Sequence, residues 1–196
     1  MISYKNAIHK DFGKYTIQND IIVTPFWTNK FCKELVGVCE QFSDRFRTDN
    51  TDNYKTEELL LHTISPLLLE DYGAHMRDHV FPLISKEWHY TRIQSEGVYS
   101  PYIIRYRMNG CRSLGKHTDI SFITLNVKLN DDYKGCDLYF PRQNFSLKDV
   151  PVGHAVIWPS LVTHPHYTDE LQEGVKYSLT AFSWPPHWND SKGYRF

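Results

Sequence analysis

Between Ile120 and Asn130 the sequence ISFITLNVKLN alternates. Ile123, Leu125, Val127 and Leu129 interleave with Phe122, Thr124, Asn126 and Lys128. A two-residue period commits that stretch to an extended strand, because successive side chains of a strand leave opposite faces. Residues 98–107 (VYSPYIIRYR) share its β-branched and aromatic character, and residues 136–140, 154–158 and 176–184 read as further strands. Turn chemistry separates them at Asn109-Gly110, Asp131-Asp132, Pro151-Val152-Gly153 and Glu173-Gly174.

The N-terminal half carries a different period. Phe31, Leu35, Val38, Cys39 and Phe42 form a helical stripe behind Thr28, which predicts a helix capped by Thr28 and running to about Phe42. Ahead of it, the apolar run Ile21-Ile22-Val23 is stopped by Pro25. Residues 43–55 are polar and read as a loop. Ser65-Pro66 pairs an N-cap with a proline at the first helical position and starts a second helix. Leu68, Leu69, Tyr72, Met76 and Val80 make its buried face, Gly73 weakens it, and Pro82 marks a bend or an end. Helices first and antiparallel strands afterwards imply an α+β chain whose C-terminal half is a β-sandwich or jelly roll.

The 196 residues suit one domain spanning 1–196: a helical part to about residue 95, a β core over about 96–185, and a tail from 186. Aromatic residues reach 15%, which fits either a β-rich fold or a large aromatic core. The formal net charge of −1 provides no basic field, so neither nucleic acid nor an anionic membrane is an expected partner. No apolar run resembles a signal peptide or a membrane span, and a cytoplasmic location is expected. Cys32, Cys39, Cys111 and Cys136 are scattered without a CxxC pair, which favours free thiols over disulfides or a zinc knuckle.

Chemistry concentrates in three segments of the β half: Gly115–Asp119 (GKHTD), residues 163–166 (THPH) and residues 174–178 (GVKYS). His117 and Asp119 are two apart, so an extended backbone puts imidazole and carboxylate on one face. A histidine from a distant strand would complete a two-histidine, one-carboxylate set that leaves three positions of an octahedral ion open. The HxD pair alone says little in a chain with ten histidines. The combination is more specific: Lys176 lies ten residues past His166, and Ser178 follows on the same strand face. That lysine is the cation that a dicarboxylate co-substrate would need.

The blocks Arg105-Tyr106, His117-Thr118-Asp119, residues 121–126 (SFITLN), residues 133–136 (YKGC), residues 159–166 (PSLVTHPH) and residues 174–177 (GVKY) occur in one order. In that order and spacing the chain resembles the iron- and 2-oxoglutarate-dependent oxygenases, most closely the C-terminal catalytic domain of procollagen lysyl hydroxylases. Upstream, residues 20–35, 56–62 and 90–107 also have counterparts there, so the likeness covers about residues 20–185.

The resemblance implies a double-stranded β-helix (jelly roll, cupin-like) with N-terminal helices packed on one sheet. It implies Fe(II) held by His117, Asp119 and His166, with 2-oxoglutarate and O2 as co-substrates and ascorbate as a candidate reductant. Lys176 would pair with the far carboxylate of 2-oxoglutarate, with Tyr106, Asn126 and Ser178 close by. His164 is read as a packed or supporting histidine. The implied activity is hydroxylation of lysyl side chains in a peptide or protein. Alternatives are a prolyl, small-molecule or free-amino-acid hydroxylase on the same scaffold, and a non-catalytic metal-binding module or zinc hydrolase. Homodimerisation is known among lysyl hydroxylase domains and is a candidate assembly here. The chain departs from that family in carrying Lys176 where arginine is usual, in a shortened glycine run before Cys136, and in the tail from residue 186.

Overall fold

The structure, a computed structural model, describes residues 2–48, 55–89 and 101–183. Its strands are β1 (Thr16–Gln18), β2 (Ile21–Pro25), β3 (Glu57–Leu60), β4 (Tyr102–Arg107), β5 (Leu114–His117), β6 (Ile123–Lys128), β7 (Tyr133–Gly135), β8 (Leu138–Phe140), β9 (Phe145–Ser146), β10 (His154–Pro159), β11 (His166–Thr168) and β12 (Leu171–Ser183). Helices α1 (Asn29–Gln41), α2 (Leu61–Ile64), α3 (Pro66–His75) and α4 (Phe81–Trp88) all lie in the N-terminal half. A large antiparallel sheet runs in the order β1-β2-β10-β6-β12-β4-β3, with β7 paired onto β12. A smaller antiparallel sheet has the order β5-β11-β8-β9.

Alternation assigns each face of the large sheet. Leu125, Val127, Ile157 and Leu179 enter a core shared with Phe31 and Leu35 of α1 and with Leu68, Tyr72, Met76 and Val80 of the second helical stretch. The other face of β10 sends Val156 and Trp158 into a second core with Leu138, Phe140 and Leu147, from the side of the small sheet. Thr124, Asn126, Lys176, Ser178 and Thr180 leave that same face into a cavity between the sheets. Strand β6 is therefore buried along its whole length. Its period separates two interiors, one apolar and one polar.

The expected helix caps are present. The Thr28 hydroxyl accepts from the Phe31 N–H at 3.3 Å, and the Ser65 hydroxyl accepts from Leu68 N–H at 3.3 Å. The second helical stretch does not stop at Pro82. A π-helical turn over Met76–Val80 precedes it, in which the Phe81 N–H donates to the Met76 carbonyl. That widened turn takes up the missing N–H of Pro82, which then sits in the first turn of α4.

A second correction concerns Glu173-Gly174, expected as a turn. Both residues lie inside β12, where the pairing with β7 shifts register between Leu171 and Glu173. Gly174 has φ +83°, so it makes a bulge rather than a chain reversal. The expected strand at 120–130 begins at Ile123, and the 136–140 strand at Leu138. Residues 98–100, Trp184 and the tail from 186 lie outside the described residues.

Gly153 ties the N-terminal segment to the large sheet. Its carbonyl accepts from the N–H groups of both Phe26 and Trp27, and its φ is +80°. A Cβ there would lie 2.1 Å from the Trp27 carbonyl oxygen. All four cysteines are free thiols. No described helix is long and apolar enough to cross a membrane.

Candidate metal centre

His117 ends β5 and His166 begins β11, and the two are paired directly across the small sheet. Their rings lie 4.3 Å apart between centroids. Asp119 follows two residues past His117, and its Oδ1 stands 3.5 Å from the Nε2 of each histidine. The ligand atoms of the three residues fall within 4.8 Å of one another. Asp119 and His166 are buried, and His117 is half-buried.

Backbone carbonyls fix the imidazole tautomers. His117 Nδ1 is 2.7 Å from the Gly115 carbonyl and His166 Nδ1 is 2.9 Å from the His164 carbonyl. A carbonyl only accepts, so each Nδ1 carries the proton and each Nε2 turns its lone pair toward Asp119. Phe140 and Trp158 hold the His166 ring at 5.2 and 5.3 Å between centroids.

The carboxylate is held as firmly. Thr124 Oγ1 donates to Asp119 Oδ2 at 2.7 Å. With its one proton spent there, Thr124 accepts from Ser121 and Ser160, each 2.6 Å away. The Leu161 N–H donates to the Asp119 carbonyl at 3.0 Å, which secures the backbone too. Burial alone would raise the Asp119 carboxyl; the two imidazoles, when they carry a proton on Nε2 in the metal-free site, and Thr124 hold it well below the usual carboxylate range. Two nitrogen lone pairs and one carboxylate oxygen thus converge, each oriented from behind. That donor set fits a divalent first-row metal bound on one face, Fe(II) included.

The triad opens into a cavity of about 190 Å³ that also receives Tyr106, Asn126, Lys176 and Ser178. All seven residues singled out in the sequence therefore border one space. Lys176 is buried between the rings of Tyr106 and Tyr133, at 5.3 and 5.9 Å from their centroids. Its ammonium donates to the Cys136 carbonyl at 2.6 Å rather than to a carboxylate, and burial lowers its pKa. Tyr106 pairs with Lys176 across β4 and β12, and burial pushes its phenol far up. Asn126 Nδ2 donates to Thr180 Oγ1 at 3.0 Å. His164 stands apart from the triad: its ring contacts Thr163 and the Asn19 carbonyl, while its own carbonyl positions His166.

Sequence reading missed the hydroxyls of Thr124, Ser121 and Ser160, and the cavity positions Glu58, Thr168 and Thr180. A signal for Thr124 was present. It stands two before Asn126 on the same face of an alternating strand.

No family model matches the chain. Among curated proteins it is similar to mouse procollagen-lysine,2-oxoglutarate 5-dioxygenase 1, with 27% identity over 83% of this chain and 24% of that protein. It is also similar to the procollagen lysyl hydroxylase and glycosyltransferase of Acanthamoeba polyphaga mimivirus, with 26% identity over 88% of this chain and 20% of that protein. The chain thus spans about a quarter or less of the length of these relatives. Among solved structures, a Pseudomonas putida prolyl-4-hydroxylase matches with TM-score 0.64 and 14% identity over 84% of this chain and 91% of that one. The viral collagen prolyl hydroxylase of Paramecium Bursaria Chlorella virus-1 matches with TM-score 0.62 and 13% identity over 84% of this chain and 94% of that one. In sequence the chain is a relative of the procollagen-lysine 2-oxoglutarate 5-dioxygenases, and in fold it is similar to prolyl hydroxylases of the 2-oxoglutarate- and iron-dependent oxygenase class.

Proposed function

We propose that the chain is an Fe(II)- and 2-oxoglutarate-dependent dioxygenase that hydroxylates lysyl side chains of a peptide or protein. The observation that carries this reading is the shared cavity: a two-histidine, one-carboxylate triad and a buried lysine border the same space. In this reading the two sheets form the double-stranded β-helix of that class, with ascorbate as reductant and a homodimeric assembly as further elements drawn from the resemblance.

His117, Asp119 and His166 would hold the iron through Nε2, Oδ1 and Nε2. Iron with 2-oxoglutarate and O2 supplies the oxidising chemistry, which no side chain can. The protein's part is orientation. Lys176 offers its ammonium to the far carboxylate of 2-oxoglutarate, and that contact gains strength because the lysine is buried. Tyr106 and Ser178 flank the lysine as hydroxyl partners, and Asn126 borders the same floor. Thr124, Ser121 and Ser160 keep Asp119 an acceptor aimed at the metal.

The test is an anaerobic titration of apo-protein with Fe(II) and then 2-oxoglutarate, followed by visible absorption. The expected result is a charge-transfer band of the chelated keto acid in the natural protein and none in His166→Ala. A folded natural protein without the band would overturn the oxygenase reading. Incubating peptides that carry lysine or proline, and the free amino acids, then scoring a mass gain of one oxygen, tests the lysyl assignment. Oxygen gain on proline or on free amino acids alone would overturn it.

A further inference from the structure

The cavity face of the large sheet is laid out in steps. On β6 its positions are Thr124, Asn126 and Lys128, and on β12 they are Thr180, Ser178 and Lys176. The register sets Thr180 against Asn126 and Ser178 against Lys128. Thr124 holds Asp119, so each pair of residues along β6 leads away from the triad, roughly 6–7 Å at a time. Lys128 therefore stands level with Ser178, and Lys176 lies one step beyond. The two lysines are diagonal neighbours on paired strands, a relation that puts residues roughly 7–8 Å apart.

Both lysines are buried, Lys128 with 8% and Lys176 with 6% of its surface exposed. Each ammonium rests on a backbone carbonyl: Lys128 Nζ donates to Lys148 at 3.2 Å and Lys176 Nζ to Cys136 at 2.6 Å. Among the described residues neither lysine forms an ion pair. A carbonyl accepts a proton without neutralising the charge behind it. Burial lowers the pKa of Lys176 and the like charge of Lys128 adds to that, while the half-buried Asp137 and Asp169 oppose it from farther off. Lys148 is the third lysine nearby, and it is exposed. Two like charges on one buried face are costly alone and become favourable once an anion sits beside both. The Ser178 hydroxyl, opposite Lys128 and on the same strand face as Lys176, borders the cavity at that point.

We propose that Lys128 is a positioning residue for the co-substrate, adding a second positive charge at the level of Ser178 that draws the far carboxylate of 2-oxoglutarate onto Lys176. Its ammonium stays on the Lys148 carbonyl and acts through space, without touching the co-substrate. One ammonium is a point charge, which attracts a carboxylate without orienting it. A second cation on the neighbouring strand gives the field a direction. This assignment rests on the oxygenase reading and adds a selectivity to it: keto acids with an anionic far end are favoured over those with an apolar one.

The test compares two keto acids on the same metal. Protein loaded anaerobically with Fe(II) is titrated with 2-oxoglutarate and with 2-oxopentanoate, which has the same chelating head and no far carboxylate, and the visible charge-transfer band is followed. The natural protein is expected to prefer 2-oxoglutarate. Lys128→Met is expected to weaken 2-oxoglutarate about five- to tenfold, the effect of removing one unit charge at a protein-like dielectric, and to leave 2-oxopentanoate within twofold. Lys128→Arg, which keeps the charge, is expected to stay close to the natural protein for both. A lysine that only secures the loop at Lys148 would shift both keto acids together or neither, and either pattern in folded Lys128→Met would overturn the proposal. So would a loss of 2-oxoglutarate affinity in Lys128→Arg as large as in Lys128→Met. Lys128→Gln replaces the methionine variant if that one does not fold, and failure of both to fold would assign Lys128 to the fold and overturn the proposal. A band in the natural protein with an unchanged 2-oxoglutarate preference in the variant overturns the Lys128 assignment alone, whereas no band with either keto acid overturns the oxygenase reading and this assignment with it.

Discussion

His117 and His166 face each other as a cross-strand pair of β5 and β11, with ring centroids 4.3 Å apart. Two short strands thereby bring residues 49 positions apart within reach of a single ion. Metal binding should consequently brace the small sheet. Adding a divalent metal at about 100 times its Kd should contribute about 2.7 kcal/mol, or roughly 5–10 °C in Tm for a chain of this size. Chelation should reverse the shift, and His166→Ala should abolish it. A Tm indifferent to metal in the natural protein would contradict the assignment.

Thr124 supplies the hydroxyl behind Asp119 and is itself held by Ser121 and Ser160. Thr124→Val keeps the shape and removes the donor. Metal affinity should fall about 10- to 100-fold, the usual cost of losing a group that orients a ligand. Competition against a chromophoric chelator measures it, and an affinity within twofold of the natural protein would show that Asp119 needs no such support.

Among the described residues no carboxylate forms an ion pair with buried Lys176, on which Asp137 and Asp169 act only from farther off, so its charge costs stability. Lys176→Met should weaken 2-oxoglutarate binding about 10- to 100-fold while leaving Tm unchanged or raised. Lys176→Arg should restore part of the affinity. A lysine that merely packed the core would give the opposite pattern, with Tm falling and affinity holding. Calorimetric titration and thermal unfolding of the same samples separate the two.

Local signals made the helices legible. Thr28 and Ser65 each act through a bond to the residue three positions on, and each cap stands where the sequence puts it. Strand β6 was legible because six residues hold a period. Strands β3, β9 and β11 run only four, two and three residues and cannot show one. They exist because partners elsewhere in the chain accept their hydrogen bonds. The same limit hid Glu58, whose place on the cavity wall follows from the register of β3 on β4. The HxD spacing put His117 and Asp119 on one side, but their meeting with His166 is a tertiary fact.

The buried pair Tyr4–His75 sets a pH dependence away from the metal. The Tyr4 hydroxyl lies 2.7 Å from His75 Nδ1 and accepts from Trp27 Nε1 at 2.8 Å, so its own proton goes to the imidazole. Burial, with His79 nearby, lowers His75 to about 4. The unfolded chain then takes up a proton near pH 6.5 that the folded chain refuses until about pH 4. Stability should fall as pH drops through that window, by about 3 kcal/mol at most. His75→Gln should flatten the slope between pH 6.5 and 4, measured by urea unfolding. An identical slope in the variant would assign the effect elsewhere.

Gly153 is the position where a methyl group has nowhere to go. Gly153→Ala combines a left-handed backbone with a contact on the Trp27 carbonyl. The cost should be about 1–3 kcal/mol or more, seen as a Tm drop of about 5 °C or more. Metal affinity of the folded fraction should be preserved, because the triad lies on the other sheet.

Strand β12 is one backbone with two clients. Tyr177 reaches α1, where its hydroxyl donates to Glu40, while its neighbours Lys176 and Ser178 face the cavity. Adjacent residues on a strand are about 3.3 Å apart, so the helical layer acts on the cavity through a very short lever. Repacking around Tyr177 would tilt the ammonium of Lys176 before it disturbed the triad on the other sheet. In the proposed enzyme the helices, far from the triad in sequence, would therefore set the grip on the co-substrate, and drift in their packing would surface as altered KM with metal binding intact.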